Sequence, residues 1–310
     1  MRIIFLGTPD FAVPILEALI QNATQSPEYE VVAVVTAPDK PTGRGYKLTP
    51  SPIKETALQY NIPVLQPTNL KSPEFLEELR SYKADLQIIV AFRMLPESVW
   101  NMPPLGTFNL HASLLPKYRG AAPINWAIIN GETETGLTTF FLKQEIDTGN
   151  IIFQETELIL PDDNVGKLYD RLKHKGADLV MRTLRGIQAN NYPQIPQDLS
   201  LPATPAPKIF RETCEIKWQE KTAVEVHNFV RGLAPHPAAW GIIAGKTYKI
   251  LETKLLPIVP DNVHQNEELA TDNKHFLAIR THEGFISIEQ IQPEGKKAMP
   301  IQAFLAGYKF

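Results

Sequence analysis

The sequence predicts an α/β protein: a doubly wound, mainly parallel, Rossmann-like sheet followed by a second, smaller β-barrel domain. Three observations carry this expectation. Short β-branched runs alternate with helical patterns through the first half, which implies parallel strands with helices on both faces. A proline-rich stretch then interrupts both periodicities. The last third returns to short strand-like runs spaced by turns.

The strand-like runs of the first half are IIFL (3–6), VVAVV (31–35), QIIVAF (87–92) and TFNL (107–110). Two helix starts are legible between them. Ser51 with Pro52, and Ser72 with Pro73, each join a capping hydroxyl to a proline at the first helical position, where its missing N–H is not needed. In NVGKLYDRLKHKGADLVMRTL, Val165, Leu168, Tyr169 and Leu172 form a stripe at 3.6-residue spacing, and this helix closes a first domain, 1–189. Residues 190–206 form the expected linker, because NNYPQIPQDLSLPATPAPK (190–208) carries five prolines and no apolar periodicity. The second domain, 207–310, holds the runs IKW, WGIIA, TYKIL, FLAIRT and GFISIEQI and one helical segment, TAVEVHNFVRGL (222–233). A small barrel fits this pattern, and a small sandwich fits almost as well.

At 310 residues the chain exceeds the size at which one core usually stops growing, so two domains are expected. A formal net charge of −3 excludes a uniformly basic nucleic-acid coat, and any RNA contact has to come from a local patch. The single cysteine, Cys214, excludes an internal disulfide and a thiolate zinc cluster, and reads as a small core residue. The seven histidines show no metal-ligand spacing. Pro9 and Asp10 interrupt the opening RIIFL and no long apolar stretch follows, so neither a signal peptide nor a membrane span is expected. A cytoplasmic monomer is the default expectation.

The most informative stretch is TFNLHASLLPKYRGAAPI (107–124). Residues i and i+2 of an extended chain point to the same side, so Asn109 and His111 present an amide and an imidazole together. An amide donates a neutral hydrogen bond to a carbonyl oxygen; a protonated imidazole donates a charged one or passes a proton. Acyl transfer through a tetrahedral intermediate uses both. Position agrees with chemistry, since ligands of doubly wound sheets sit outside the carboxyl ends of the strands. A dinucleotide is disfavoured, because GTPDF after the first strand lacks the G-x-G-x-x-G spacing.

Further along, SLLPKYRGAAPI joins turn-forming Pro116 and Gly120 to the cations Lys117 and Arg119, and EIDTGNII (145–152) places Asp147 in a DTG context. Together with MRIIFLGTPDFAVPIL at the start, PDKPTGRGYKLTPSPIK (38–54), VRGLAPHPAAW (230–240) and PEGKKAM (293–299), these segments give a chain that resembles the folate-dependent formyltransferases along nearly its whole length. The resemblance implies transfer of a formyl group from 10-formyltetrahydrofolate, without a metal, to the amino group of an amino acid carried on initiator tRNA. It implies the OB-fold as the form of the second domain, with tRNA as its partner. It implies Asn109 and His111 as donors to the oxyanion, and Asp147 as the charge that favours a protonated His111 and helps remove the amine proton. Ser113, Leu114, Leu115 and Pro116 are the implied folate contacts, through apolar packing and backbone hydrogen bonds.

The connection from Thr36 to Pro52 is long for a βα loop and carries Lys40, Arg44 and Lys47 against one acid, Asp39. Gly43 and Gly45 let the backbone approach phosphates, and the resemblance makes this the loop that enters the tRNA acceptor stem. Residues 207–310 carry 13 basic and 12 acidic side chains, so an RNA role there follows from the resemblance and not from charge. Two departures from the family pattern stand out. Tyr118 stands where tryptophan is frequent, keeping an aromatic platform, and Arg93 and Met94 occupy a usually glycine-containing segment near the expected folate pocket. Two other readings stand beside this one: a formyltransferase acting on a sugar nucleotide or small amine, and a non-catalytic RNA-binding protein. The PTGRG loop with a β-rich tail speaks against the first, and the intact Asn109, His111 and Asp147 set against the second.

Overall fold

The computed structural model describes residues 1–25, 28–42, 47–145, 147–198, 204–260 and 264–310. They form two compact units whose segments interleave along the chain. One comprises Met1–Arg119, Gly136–Glu157 and Tyr169–Pro205; the other comprises Gly120–Thr135, Leu158–Leu168 and Ala206–Phe310.

The sheet of the first unit has seven strands: β1 (Arg2–Gly7), β2 (Glu30–Val35), β3 (Val64–Leu65), β4 (Leu86–Val90), β5 (Thr107–His111), β6 (Glu134–Phe141) and β7 (Ile151–Leu158). Their order is β7-β6-β5-β4-β1-β2-β3. β1 is parallel to β2 and β4, β2 to β3 and β4 to β5, while β6 runs antiparallel to β5. The central strands are apolar on both faces because both are covered: Ile3, Ile4, Phe5, Leu6, Leu86, Ile88 and Val90 have no exposure. Sheet growth reverses at β1, the switch point beside which such sheets bind ligands.

Helices α1 (Val13–Gln25), α2 (Pro52–Gln59), α3 (Pro73–Ser81) and α4 (Glu97–Trp100) lie between the parallel strands in sequence. The two sequence-predicted caps form: Ser51 accepts from the Lys54 N–H and Ser72 from the Phe75 N–H, with Pro52 and Pro73 opening the helices. The run QIIVAF stops being a strand at Val90, because Ala91 turns into the left-handed region at φ 48°. The connection after β2 is not an open loop. Lys40–Thr42 pairs antiparallel with Lys47–Thr49, and the intervening residues, Arg44 among them, lie outside the described residues. Beyond α5 (Pro123–Ile129), the expected long helix is α6 (Val165–Gln188).

In the second unit, β8 (Ala239–Ile243), β9 (Lys246–Leu255), β10 (His264–Gln265), β11 (Leu269–Thr271), β12 (Leu277–Arg280) and β13 (Phe285–Pro293) form an antiparallel sheet in the order β8-β9-β13-β12-β11-β10. A short β14 (Met299–Pro300) pairs with β13. Helix α7 (Ala223–Leu233) starts at a full capping box between Thr222 and Glu225. Its Val226, Phe229, Val230 and Leu233 share a core with Ile250, Ile288, Ile291 and, from α8 (Ile301–Gly307), Phe304. Gly232 lets α5 come close: a Cβ there would stand 2.6 Å from Ile129 Cγ1, and Asn125 donates to the Gly232 carbonyl at 2.8 Å. Cys214 lies in this core, as its solitary occurrence suggested. The run IKW is not a strand. Of its three residues only Ile216 is buried, and the segment is tied by a β-bridge from the preceding Glu215 to Trp240 and by bonds of Trp218 to His282 and Ile242. Among the described residues no helix is long and apolar enough to cross a membrane.

Candidate active site

Strand β5 ends the parallel part of the sheet and delivers Asn109 and His111 to its carboxyl end. Register fixes both: Asn109 stands opposite Phe140 and His111 opposite Thr138 on β6. Asn109 is partly exposed, whereas His111 is buried. They share one side of the strand, about 7 Å apart along it.

The imidazole is held from both sides. His111 Nε2 lies 2.8 Å from the Tyr118 carbonyl oxygen, and a carbonyl only accepts, so Nε2 carries a hydrogen. The other nitrogen, Nδ1, faces Asp147 Oδ2 at 3.9 Å, too long for a hydrogen bond and close enough for an ion pair. Neutral His111 therefore turns a lone pair toward the carboxylate, and the protonated ring turns an N–H toward it. The structure thus brings His111 and Asp147 together at Nδ1, with Asn109 two residues earlier on the same strand.

The stretch after β5 turns inward more than its sequence suggested. Ser113 is fully buried and its hydroxyl donates to the Lys117 carbonyl, while Leu115 packs with Phe140 and Ile151. Backbone groups expected to be available for a folate are engaged within the protein. Thr138 Oγ1 donates to the Ser113 carbonyl at 2.7 Å and accepts from the Leu115 N–H at 3.1 Å and from Gln154 Nε2 at 3.0 Å. Gln154 also donates to the Leu115 carbonyl, and the Lys117 N–H to that of Leu114. Leu114 and Pro116 remain half-buried.

Several roles were not legible. Thr138 uses its one donor and both acceptor sites to shape the 113–115 turn, yet a threonine in a strand carries no sequence signal. Tyr118 is 3 % exposed with φ 57°, so it is an interior ring with its carbonyl on His111 and not an open platform. Arg119, read as a cation of the loop, is half-buried and donates from Nη2 to Gln197 Oε1 at 2.5 Å. Gln197, from the proline-rich segment, in turn donates to the carbonyls of Asp147 and Gly149. Arg93 bonds to the carbonyls of Pro67 and Thr68, and Met94 is exposed.

Of the basic loop, Lys40 is exposed, and the side chain of Lys47 and the whole of Arg44 lie outside what is described. Asp39 binds Lys54 and Gln66 at 2.7 Å, and these hydrogen bonds hold its carboxyl below the usual carboxylate range. Among the described residues no three His, Cys, Asp or Glu side chains cluster as a metal site requires.

Comparison with known proteins agrees along the chain. The formyl transferase family model matches residues 1–184, and the model of the formyl transferase C-terminal domain matches residues 208–309. A methionyl-tRNA formyltransferase of Bacteroides fragilis is 49% identical over 316 residues, covering 99% of this chain and 95% of the relative. One of Flavobacterium johnsoniae is 48% identical over 316 residues, covering 100% and 97%. Among solved structures, the sugar 3N-formyl transferase WlaRD superposes with a TM-score of 0.66 at 22% identity, over 96% of this chain and 99% of its own. HypX from Aquifex aeolicus, solved with tetrahydrofolic acid, gives 0.62 at 20% identity over 99% of this chain and 47% of its own. At such identities the structural likeness speaks to fold alone. The chain belongs to the formyl transferase family.

Proposed function

We propose that the chain transfers a formyl group from 10-formyltetrahydrofolate to the free amino group of methionyl-initiator tRNA. The observation that carries this is the His111–Asp147 pair at the carboxyl end of β5, in a chain about half identical over its full length to enzymes named for that reaction. Residues 1–189 act as the catalytic domain, 190–206 as the linker and 207–310 as an OB-like tRNA-binding domain. The protein works as a cytoplasmic monomer.

An apolar ring system edged by hydrogen-bonding groups fits the half-buried Leu114 and Pro116 that follow His111, with Ser113 and Leu115 setting the turn from inside. Bound folate supplies the formyl carbon at N10. Asn109 donates from its amide to the acyl oxygen. Protonated His111, its Nε2–H fixed on the Tyr118 carbonyl, donates from Nδ1. The Asp147 carboxylate stabilises the charged ring and takes up, directly or through water, the proton that the attacking amine loses; as the bond from the formyl carbon to N10 breaks, that proton passes to N10 and tetrahydrofolate leaves. Lys40, Arg44 and Lys47 neutralise phosphates of the acceptor stem.

The test is to incubate the purified chain with 10-formyltetrahydrofolate and methionyl-initiator tRNA, strip the amino acid from the tRNA and identify it by mass. N-formylmethionine supports the reading, and unmodified methionine in a folate-binding preparation refutes it.

A further inference from the structure

We propose that Gln197 is a positioning residue for Asp147, and that the dipeptide Tyr118–Arg119 is the common mount of both members of the His111–Asp147 pair. Tyr118 orients His111 directly through its carbonyl. Arg119 acts through Gln197: its guanidinium donates to Oε1 at 2.5 Å, and Gln197 Nε2 donates to the Asp147 carbonyl at 2.8 Å and the Gly149 carbonyl at 2.9 Å. This amide has one possible orientation. Both partners of Nε2 accept only and the partner of Oε1 donates only, so turning the amide over forfeits all three bonds.

The loop so held needs holding. Asp147 sits at φ 55°, a conformation that side-chain-bearing residues rarely adopt. Gly149 lies so close to β6 that a Cβ on it would fall 1.5 Å from the Phe141 carbonyl oxygen. Gln197 clamps the backbone on both sides of Thr148, and with 8 % exposure it is an interior group despite its place among prolines. The bridge between Ile195 and Ile151 fixes the Gln197 segment against the strand that follows the loop. Its nitrogen and oxygen therefore set the distance from Asp147 to His111 Nδ1.

This inference rests on the formyl-transfer reading, and one experiment separates their failures. Full-length wild type, Gln197→Ala and Gln197→Glu are compared for kcat, for KM of each substrate, for the pH profile of kcat and for amide hydrogen exchange at residues 147–150. Wild-type activity tests the reaction; exchange tests the clamp whether or not the reaction is the right one. The expected result is a fall in kcat of at least about 10-fold with both KM values within about 2-fold, a changed pH profile and faster exchange in the loop. Gln197→Glu keeps the shape and the Arg119 contact but turns one acceptor oxygen toward two acceptor carbonyls, so it should be as impaired as Gln197→Ala. Should Gln197→Ala fold poorly, Gln197→Glu and the milder Arg119→Lys carry the same comparison. Unchanged kcat and exchange overturn the proposal, as does a loss of thermal stability with the pH profile intact.

Discussion

His111 and Asp147 face each other across 3.9 Å, Nδ1 to Oδ2, while the opposite ring nitrogen of His111 is held by the Tyr118 carbonyl. The second contact dictates what the first can do. With Nε2 committed as a donor, Nδ1 is the ring nitrogen left to gain or give up a proton, at the position the carboxylate confronts. Asn109, two residues earlier on the same strand face, carries an uncharged amide.

Replacing His111 or Asn109 with Ala lowers kcat on the order of 10²-fold or more, the usual consequence of removing a donor to a developing oxyanion. Folate binding, measured by fluorescence titration, stays intact. Near-normal turnover in either variant removes that residue from the reaction.

Thr138→Val removes the hydroxyl that joins the Ser113 carbonyl, the Leu115 N–H and Gln154 in a fully buried place. Leaving those groups unpaired destabilises by about 1–3 kcal/mol, a loss of several degrees in Tm. The folate KM rises as the 113–116 turn loosens. A variant with wild-type Tm and KM shows that the turn is held by other means.

In the second unit, burial foremost and then the Arg231 charge push His227 below its ordinary value near 6.5, against the opposing pull of Asp162 and Thr253. The unfolded chain then binds more protons than the folded one just below pH 6.5, so this contribution is complete above that pH and is lost as pH falls through the folded value. Thermal melts at pH 7.5 and 5.5 should give a lower Tm at the lower pH, and His227→Gln should shrink the difference. Equal differences in the two proteins assign the acid sensitivity elsewhere.

Arg44→Ala weakens the interaction with charged tRNA and flattens its dependence on log salt, because each neutralised phosphate releases counterions. The folate KM is unaffected. Identical tRNA KM and salt slope in wild type and variant remove this loop from the RNA interface.

The parallel strands, the serine-proline helix starts and the placing of Asn109 and His111 at the end of one strand were legible because each rests on local chemistry: β-branched runs, a capping hydroxyl beside a proline, two polar groups at strand spacing. What was not legible depends on contacts distant in sequence. Thr138 and Gln154 are ordinary strand residues until the fold brings them beneath Leu115. Gln197 sits in a stretch whose composition reads as a free connector, and only its partners reveal an interior residue. The IKW run has strand composition but does not form a strand, and Lys40–Thr42 pairs with Lys47–Thr49 in a stretch whose sequence carries the proline, lysine and glycine signals of an open loop. The interleaving of the two compact units has no local signature at all.

The most direct test of the whole account is the specificity constant for formyl transfer from 10-formyltetrahydrofolate to methionyl-initiator tRNA, measured beside methionyl-elongator tRNA and an amino-sugar nucleotide. The account predicts that kcat/KM for the charged initiator exceeds that for the elongator and that the sugar nucleotide is not formylated. Formylation of the sugar nucleotide at a rate equal to or above that of the initiator tRNA contradicts it.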